Sequence, residues 1–203
     1  GIFCFYKILF INFYYMNMKA QGFYKKMFYL VFSFVFVSFS TFPGVQVAYA
    51  DALASTSVTL TDATTATAYN QYVKLLLSST GGGIGAGETL TIVYPSGFAS
   101  GLNSVAFGDI DVCHNTTSFA TCISGGTELT LAATASTTTW GAAVSTRTLT
   151  ITSATGTIPA SSYITIEIGT NATGGVNQIA NPTTGSHTID FAGTNGDVGS
   201  AVI

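Results

Sequence analysis

Threonine alternates with branched or aromatic apolar residues in one short stretch after another. Three cases are Thr89-Leu90-Thr91-Ile92-Val93-Tyr94, Arg147-Thr148-Leu149-Thr150-Ile151-Thr152 and Tyr163-Ile164-Thr165-Ile166-Glu167-Ile168. A period of two sends the apolar set to one face of a strand and the polar set to the other, and no helix can do this. Threonine is stiff at χ1, suits a pleated surface and is a poor helix former. It supplies 31 of the 153 residues from Asp51 to Ile203. That part of the chain is therefore predicted to be nearly all β.

Further strands are predicted at Ser57–Thr61, Tyr72–Leu77, Val105–Val112, Glu128–Leu131 and His187–Phe191, with a fragment at Ser200–Ile203. Gly- and Pro-rich stretches, such as Ser78–Gly87 and Pro95-Ser96-Gly97, separate them. Eight or nine short alternating strands of this kind define an antiparallel, immunoglobulin-like β-sandwich, with a barrel as the alternative. In the 105–112 strand, Ile110 and Val112 are expected inward and Asp109 and Asp111 outward. Trp140 is expected to cap the core between two strands.

The first fifty residues are of another kind. Lys25 and Lys26 lead an apolar run from Met27 to Val37, Pro43-Gly44 breaks it, and Ala48-Tyr49-Ala50 follows just before Asp51. A charged start, a short apolar centre and a small-x-small exit make a secretory signal, with cleavage expected between Ala50 and Asp51. Residues 16–50 are read as the signal peptide and 51–203 as the β-sandwich domain. Residues 1–15, which start on Gly and carry Cys4, are read as upstream sequence translated in frame. The alternative keeps the run as a membrane anchor. From Met27 to Phe42 it has 16 residues including Ser33, Ser38 and Ser40, against the roughly 20 apolar residues a spanning helix needs. At the other end, Val202-Ile203 reads as a strand begun and not finished, which predicts a piece of a longer surface protein.

All nine acidic residues but only two basic ones, Lys74 and Arg147, lie in residues 51–203, a formal charge of 2 − 9 = −7. With no basic patch, nucleic acid and anionic membrane surfaces are not expected partners. Membrane contact is expected only through the signal segment before cleavage. Cys113 and Cys122 form an even pair in an exported chain, so a disulfide is expected.

Signals for chemistry are weak. Asp109, Asp111 and Cys113 fall at period two on one strand; the two carboxylates are candidate Ca²⁺ ligands, far short of the oxygens that ion needs. The 81–87 loop is Gly-rich but has neither G-x-G-x-x-G spacing nor G-K-[ST]. His114 and His187 are the two histidines, and no G-x-S-x-G marks a nucleophile. Glu88, Glu128 and Glu167 sit on ordinary alternating strands, which argues against a glycosidase pair. Asn115-Thr116-Thr117 and Asn171-Ala172-Thr173 match the N-glycosylation pattern.

Three segments carry a resemblance: Gly87 to Phe98 (GETLTIVYPSGF), Ile164 to Gly175 (ITIEIGTNATGG) and Asn181 to Ile189 (NPTTGSHTI). They resemble sandwich modules near the N-termini of large secreted surface proteins from uncultivated bacterial lineages. The resemblance spans roughly Ser57 to Ile203 and leaves the Cys113–Cys122 insertion unmatched. It implies a non-enzymatic structural or adhesive module, without cofactor, whose partners are other surface-protein domains or cell-surface polymers. The alternative is a carbohydrate-binding sandwich, for which Trp140, Tyr163 and Phe119 are the candidate sugar-facing aromatics.

Overall fold

The computed structural model describes residues 50–98 and 102–203. The expectations for residues 1–15 and for the signal segment up to Tyr49, Ala48 included, lie outside the described residues. No helix among the described residues is long and apolar enough to cross a membrane.

In chain order the strands are β1 (Asp51–Ala52), β2 (Ser55–Leu60), β3 (Ala68–Tyr69), β4 (Gln71–Leu76), β5 (Thr89–Val93), β6 (Ile110–Asn115), β7 (Thr127–Glu128), β8 (Leu131–Ala132), β9 (Trp140–Ser145), β10 (Thr148–Thr152), β11 (Tyr163–Ile168), β12 (Ile179–Ala180), β13 (Thr188–Gly193) and β14 (Asp197–Val202). One sheet runs β1-β14-β13-β5-β10-β9-β8, the other β2-β4-β11-β6-β7, and β12 pairs with β3 alone. The two large sheets form the sandwich predicted from the alternation. Their centres are antiparallel throughout; the parallel pairs are at the edges, β1 with β14 and β8 with β9.

Register follows the apolar pattern. Leu149 faces Ile92 and Ile151 faces Leu90 across β10 and β5, while Ile166 lies between Val73 and Val112 across β4, β11 and β6. Both inner faces empty into one core with Tyr94, Phe98, Leu102 and Phe191. A one-residue slip in any of these strands would turn its whole apolar set outward. The described residues from Ala50 to Ile203 belong to one compact unit, and every member of the core cluster lies within it; a unit with its own core can fold alone.

One polar thread crosses this interior. Gln71 points into the core from β4 and is fully buried. Its Oε1 accepts the Tyr94 hydroxyl, and its Nε2 donates to the Tyr69 hydroxyl at 3.5 Å. Both rings are buried as well. Burial lifts the Tyr94 phenol well above its ordinary value.

Three expectations are corrected. The 105–112 strand begins only at Ile110, because Phe107–Asp109 is a 3-10 turn. Glu128–Leu131 is not one strand: β7 belongs to one sheet and β8 to the other, so the chain changes sheets there. Asp109 and Asp111 do not face solvent; they are 2% and 7% exposed. Asp109 is drawn inward by the turn. Asp111 is on the outer face of its sheet, where the 173–177 loop meets it through the Thr173 amide.

Further along the same face the cover is the disulfide loop. Cys113 and Cys122 are bridged, with Cα atoms 5.2 Å apart, well inside the span a disulfide can close. The loop does not stand away as an exposed hairpin. Phe119 lies edge-on against Tyr163 at 4.9 Å, with Lys74 Nζ 5.9 Å from the Phe119 ring. The Cys122 N–H donates to Glu167 Oε1 at 3.2 Å. Folded back in this way, the loop buries Cys113, Thr165 and Glu167, so the central strands β6 and β11 are covered on both faces.

Candidate binding groove

Where the chain changes sheets it leaves an open groove of about 380 Å³. Its course is set by two backbone hydrogen bonds. Leu129 N–H reaches Val112 carbonyl at 2.8 Å in one sheet, and Trp140 N–H reaches Thr130 carbonyl at 2.9 Å in the other. Ile110, Leu129, Leu131 and the exposed Phe107 supply apolar lining, and Asp111, Glu128 and Thr173 supply polar groups.

Asp109 and Asp111 both serve this region, but in different ways. Asp109 Oδ1 accepts the Val176 and Asn177 amides, each at 2.8 Å, and Oδ2 accepts the Ala106 amide at 2.9 Å and Asn177 Nδ2 at 3.0 Å. Burial opposes its charge, but these hydrogen bonds outweigh burial and hold the carboxyl below its ordinary value. Both oxygens are thus committed to fastening the 173–177 loop. Asp111 Oδ2 accepts the Thr173 amide at 2.7 Å, and the side chain borders the groove. Among the described residues no three His, Cys, Asp or Glu side chains are grouped as a metal would require.

Glu167 lies behind Asp111 on the neighbouring strand, Cα partner to Cα partner. It is 2% exposed. Burial raises its pKa; the Cys122 amide opposes the rise, and the charges of Asp111 and Glu128 add to it. The groove therefore has acidic walls backed by a third, buried acid.

The other sequence candidates are not brought together. Trp140 opens β9 and is 7% exposed, within the core. Phe119 and Tyr163 meet edge to face with their planes nearly perpendicular, so the three aromatics form no common platform. His114 is in β6, with Nδ1 buried and unpartnered and its pKa lowered by burial. His187 precedes β13 and bonds the Thr183 carbonyl at 2.8 Å through Nε2. In the Gly-rich loop the Glu88 carboxylate already accepts the Gly85 amide at 2.5 Å, and Ile84 is bridged to Ile158. Asn115 donates to Gly125 carbonyl and accepts from Thr117, and both polar atoms of Asn171 are buried. Neither acceptor asparagine presents a free amide.

Sequence reasoning missed the groove because its walls come from separate stretches: the 107–111 turn and strand, the 128–131 crossing and Thr173. The signal that was present is Phe107, a bulky aromatic placed beside Gly108 at a turn.

No protein-family model matches the chain, and no curated protein matches it. Among solved structures, it is similar to BslA, described as a bacterial hydrophobin, at 13% identity over 75% of this chain and 92% of that one, with a TM-score of 0.37. It is similar to the collagen-binding domain of a Staphylococcus aureus adhesin at 9% identity, covering 72% of this chain and 95% of that one, TM-score 0.36. A third structure is described as manganese lipoxygenase of Gaeumannomyces graminis with a partial zonadhesin of Komagataella pastoris; identity is 10% over 76% of this chain, TM-score 0.40. The chain spans 47% of the length of that structure.

Proposed function

We propose that residues 51–203 are a non-enzymatic structural or adhesive module of an exported cell-surface protein. In this reading the groove is its contact face for another surface-protein domain or a cell-surface polymer. The observation that carries the reading is the lining: aromatic and aliphatic side chains next to Asp111 and Glu128. Such a surface gains affinity by burying apolar area and by charge complementarity. Its walls suit a partner that is apolar in part and basic.

Asp51 and Ile203 lie at opposite ends of one strand pair. Asp51 is level with Asp197 at the start of β14, and Ile203 lies six residues further along, about 20 Å away at roughly 3.3 Å per residue.

The test uses immobilised residues 51–203 and three soluble polysaccharides: chitosan oligomers (cationic), dextran (neutral) and hyaluronan (anionic). Chitosan is expected to bind, with binding lost in Glu128→Lys and retained in Asp190→Lys, which makes the same charge change on an exposed strand position. Equal loss in both variants would reduce the contact to bulk charge and remove the groove reading. Shortening of any polymer during the assay would overturn the non-enzymatic reading.

A further inference from the structure

At the edge of the seven-stranded sheet opposite β8, two carboxylates lie side by side with no cationic side chain of the described residues beside them. Asp51 and Asp197 are register partners in the parallel pair of β1 and β14, so their side chains leave the same face. Ser78 holds both: its hydroxyl donates to Asp51 Oδ2 at 2.5 Å and its amide to Asp197 Oδ2 at 3.3 Å. Thr80 also donates to Asp51 Oδ2, and Asn195 Nδ2 to Asp197 Oδ2 at 3.1 Å. Asp197 is 1% exposed, and its Oδ1 is buried with no hydrogen-bond partner. That oxygen lies hard against Gly81, in the same 78–81 loop that wraps the Asp51 carboxylate; any side chain at 81 would collide with it.

An unpaired buried charge is costly. The cationic side chains of the domain are engaged elsewhere: Lys74 lies over Phe119 and Arg147 donates to the Tyr94 carbonyl at 2.8 Å. One positive group can arise on the spot. The Asp51 nitrogen is 2.8 Å from the Gly196 carbonyl oxygen, one residue from Asp197. Hydrolysis of the Ala50–Asp51 bond adds the hydroxyl of water to the Ala50 carbonyl and its hydrogen to the Asp51 nitrogen. The new amine takes a further proton at neutral pH.

We propose that Asp51 and Asp197 form a seat for the chain's own α-ammonium group, so that cleavage after Ala50 completes the fold electrostatically. The inference rests on the export reading for the cleavage position, and the Asp51 N–H to Gly196 bond survives the change, since an ammonium keeps a donor there. Before cleavage the seat holds two carboxylates and, among the described residues, no counter-charge. Burial, with the Asp51 charge acting the same way, raises the Asp197 carboxyl against the pull of Ser78 and Asn195. After cleavage the ammonium favours the ionised carboxylates, and they favour it.

The sign follows from linkage. An amine whose folded pKa rises above its ordinary value of about 7.7–8.0 stabilises the fold fully below that value, and the gain is lost as pH rises through the folded pKa. The titratable groups facing it are Asp51 and Asp197.

The experiment compares residues 51–203 bearing a free Asp51 amine, released from a removable fusion, with the same domain extended to begin at Ala48. Each is made also as Asp197→Asn. At pH 6–7 the free-amine domain should melt a few degrees higher than the extended one, a shift readily resolved for a domain of this size. The gap should close in alkaline buffer and be absent in the Asp197→Asn pair. Equal melting temperatures, or a gap that persists in Asp197→Asn, would overturn the seat. So would a rise in the melting temperature of the free-amine domain on adding Ca²⁺, reversed by chelator, because a metal ion would then be the occupant. The N-terminal mass of secreted protein tests the cleavage position separately: an end other than Asp51 defeats the processing step, whatever the melting comparison gives.

Discussion

Replacing Gln71 with Leu should cost far more than its volume suggests. The substitution keeps the side chain's approximate size, so little of the loss comes from a cavity. It removes the acceptor of the Tyr94 hydroxyl and the donor to the Tyr69 hydroxyl, both in a core with no route to water. Each buried hydroxyl left unpaired costs about 1–3 kcal/mol. The Tyr69 contact is long at 3.5 Å and belongs at the low end, so Gln71→Leu should lose about 2–4 kcal/mol in total. Removing both sides of a buried hydrogen bond is much cheaper than removing one. Gln71→Leu combined with Tyr94→Phe should therefore be more stable than Gln71→Leu alone, by about 1 kcal/mol or more. Urea titration read by tryptophan fluorescence suits the test, because the one tryptophan, Trp140, is buried in the same core. An unchanged m-value would confirm that only stability moved. If Gln71→Leu cost less than about 0.5 kcal/mol, or if the two substitutions simply added, the thread would be an accident of packing and the reasoning from unpaired polar groups would fail.

Two other outcomes are expected. Reducing the Cys113–Cys122 bridge, nine residues apart, should cost about 2.6 kcal/mol on the chain-entropy estimate, measured as the loss in urea midpoint with and without reductant; no loss would mean that the Phe119–Tyr163 contact alone holds the loop down. Glu167→Gln keeps an acceptor for the Cys122 amide and removes a buried charge. A carboxyl whose folded pKa is raised destabilises the fold at neutral pH and relaxes as pH falls through that raised value. The variant should thus melt higher than the parent at pH 7 and equal to it in acid, and a constant difference across pH would remove the charge argument.

Strand positions were legible because the apolar period is local. β5, β10 and β11 lie within a residue of their predicted limits, and their inward sets are the ones alternation selects. β9 was not legible: Gly141-Ala142-Ala143 has little β propensity, and the strand is held by pairing with β10, through a tight turn, and with β8, not by its own composition. Nor could the alternation reveal that Asp111, Thr165 and Glu167 are buried. They occupy the polar face of their strands, as predicted, but the disulfide loop folds over Thr165 and Glu167, and the 173–177 loop meets Asp111. Cysteine spacing says that a loop is closed and not which way it lies. The groove shares this limit, since Phe107, Leu129 and Thr173 meet only once the sheet change at 128–131 is known.

The parallel pairing of β1 with β14 has a mechanical consequence. Tension applied between Asp51 and Ile203 acts along both strands at once and in opposite senses. Three rungs lie across that path: Asp51 N–H to Gly196 carbonyl, Leu53 N–H to Val198 carbonyl, both 2.8 Å, and the Thr56 hydroxyl to Ser200 carbonyl at 2.6 Å. They are loaded in shear, together, whereas an antiparallel terminal pair would unzip them singly. Resistance to such a pull is set by the rate of unfolding and not by the equilibrium free energy, so a domain of ordinary thermal stability can still be stiff when pulled between its first and last strands.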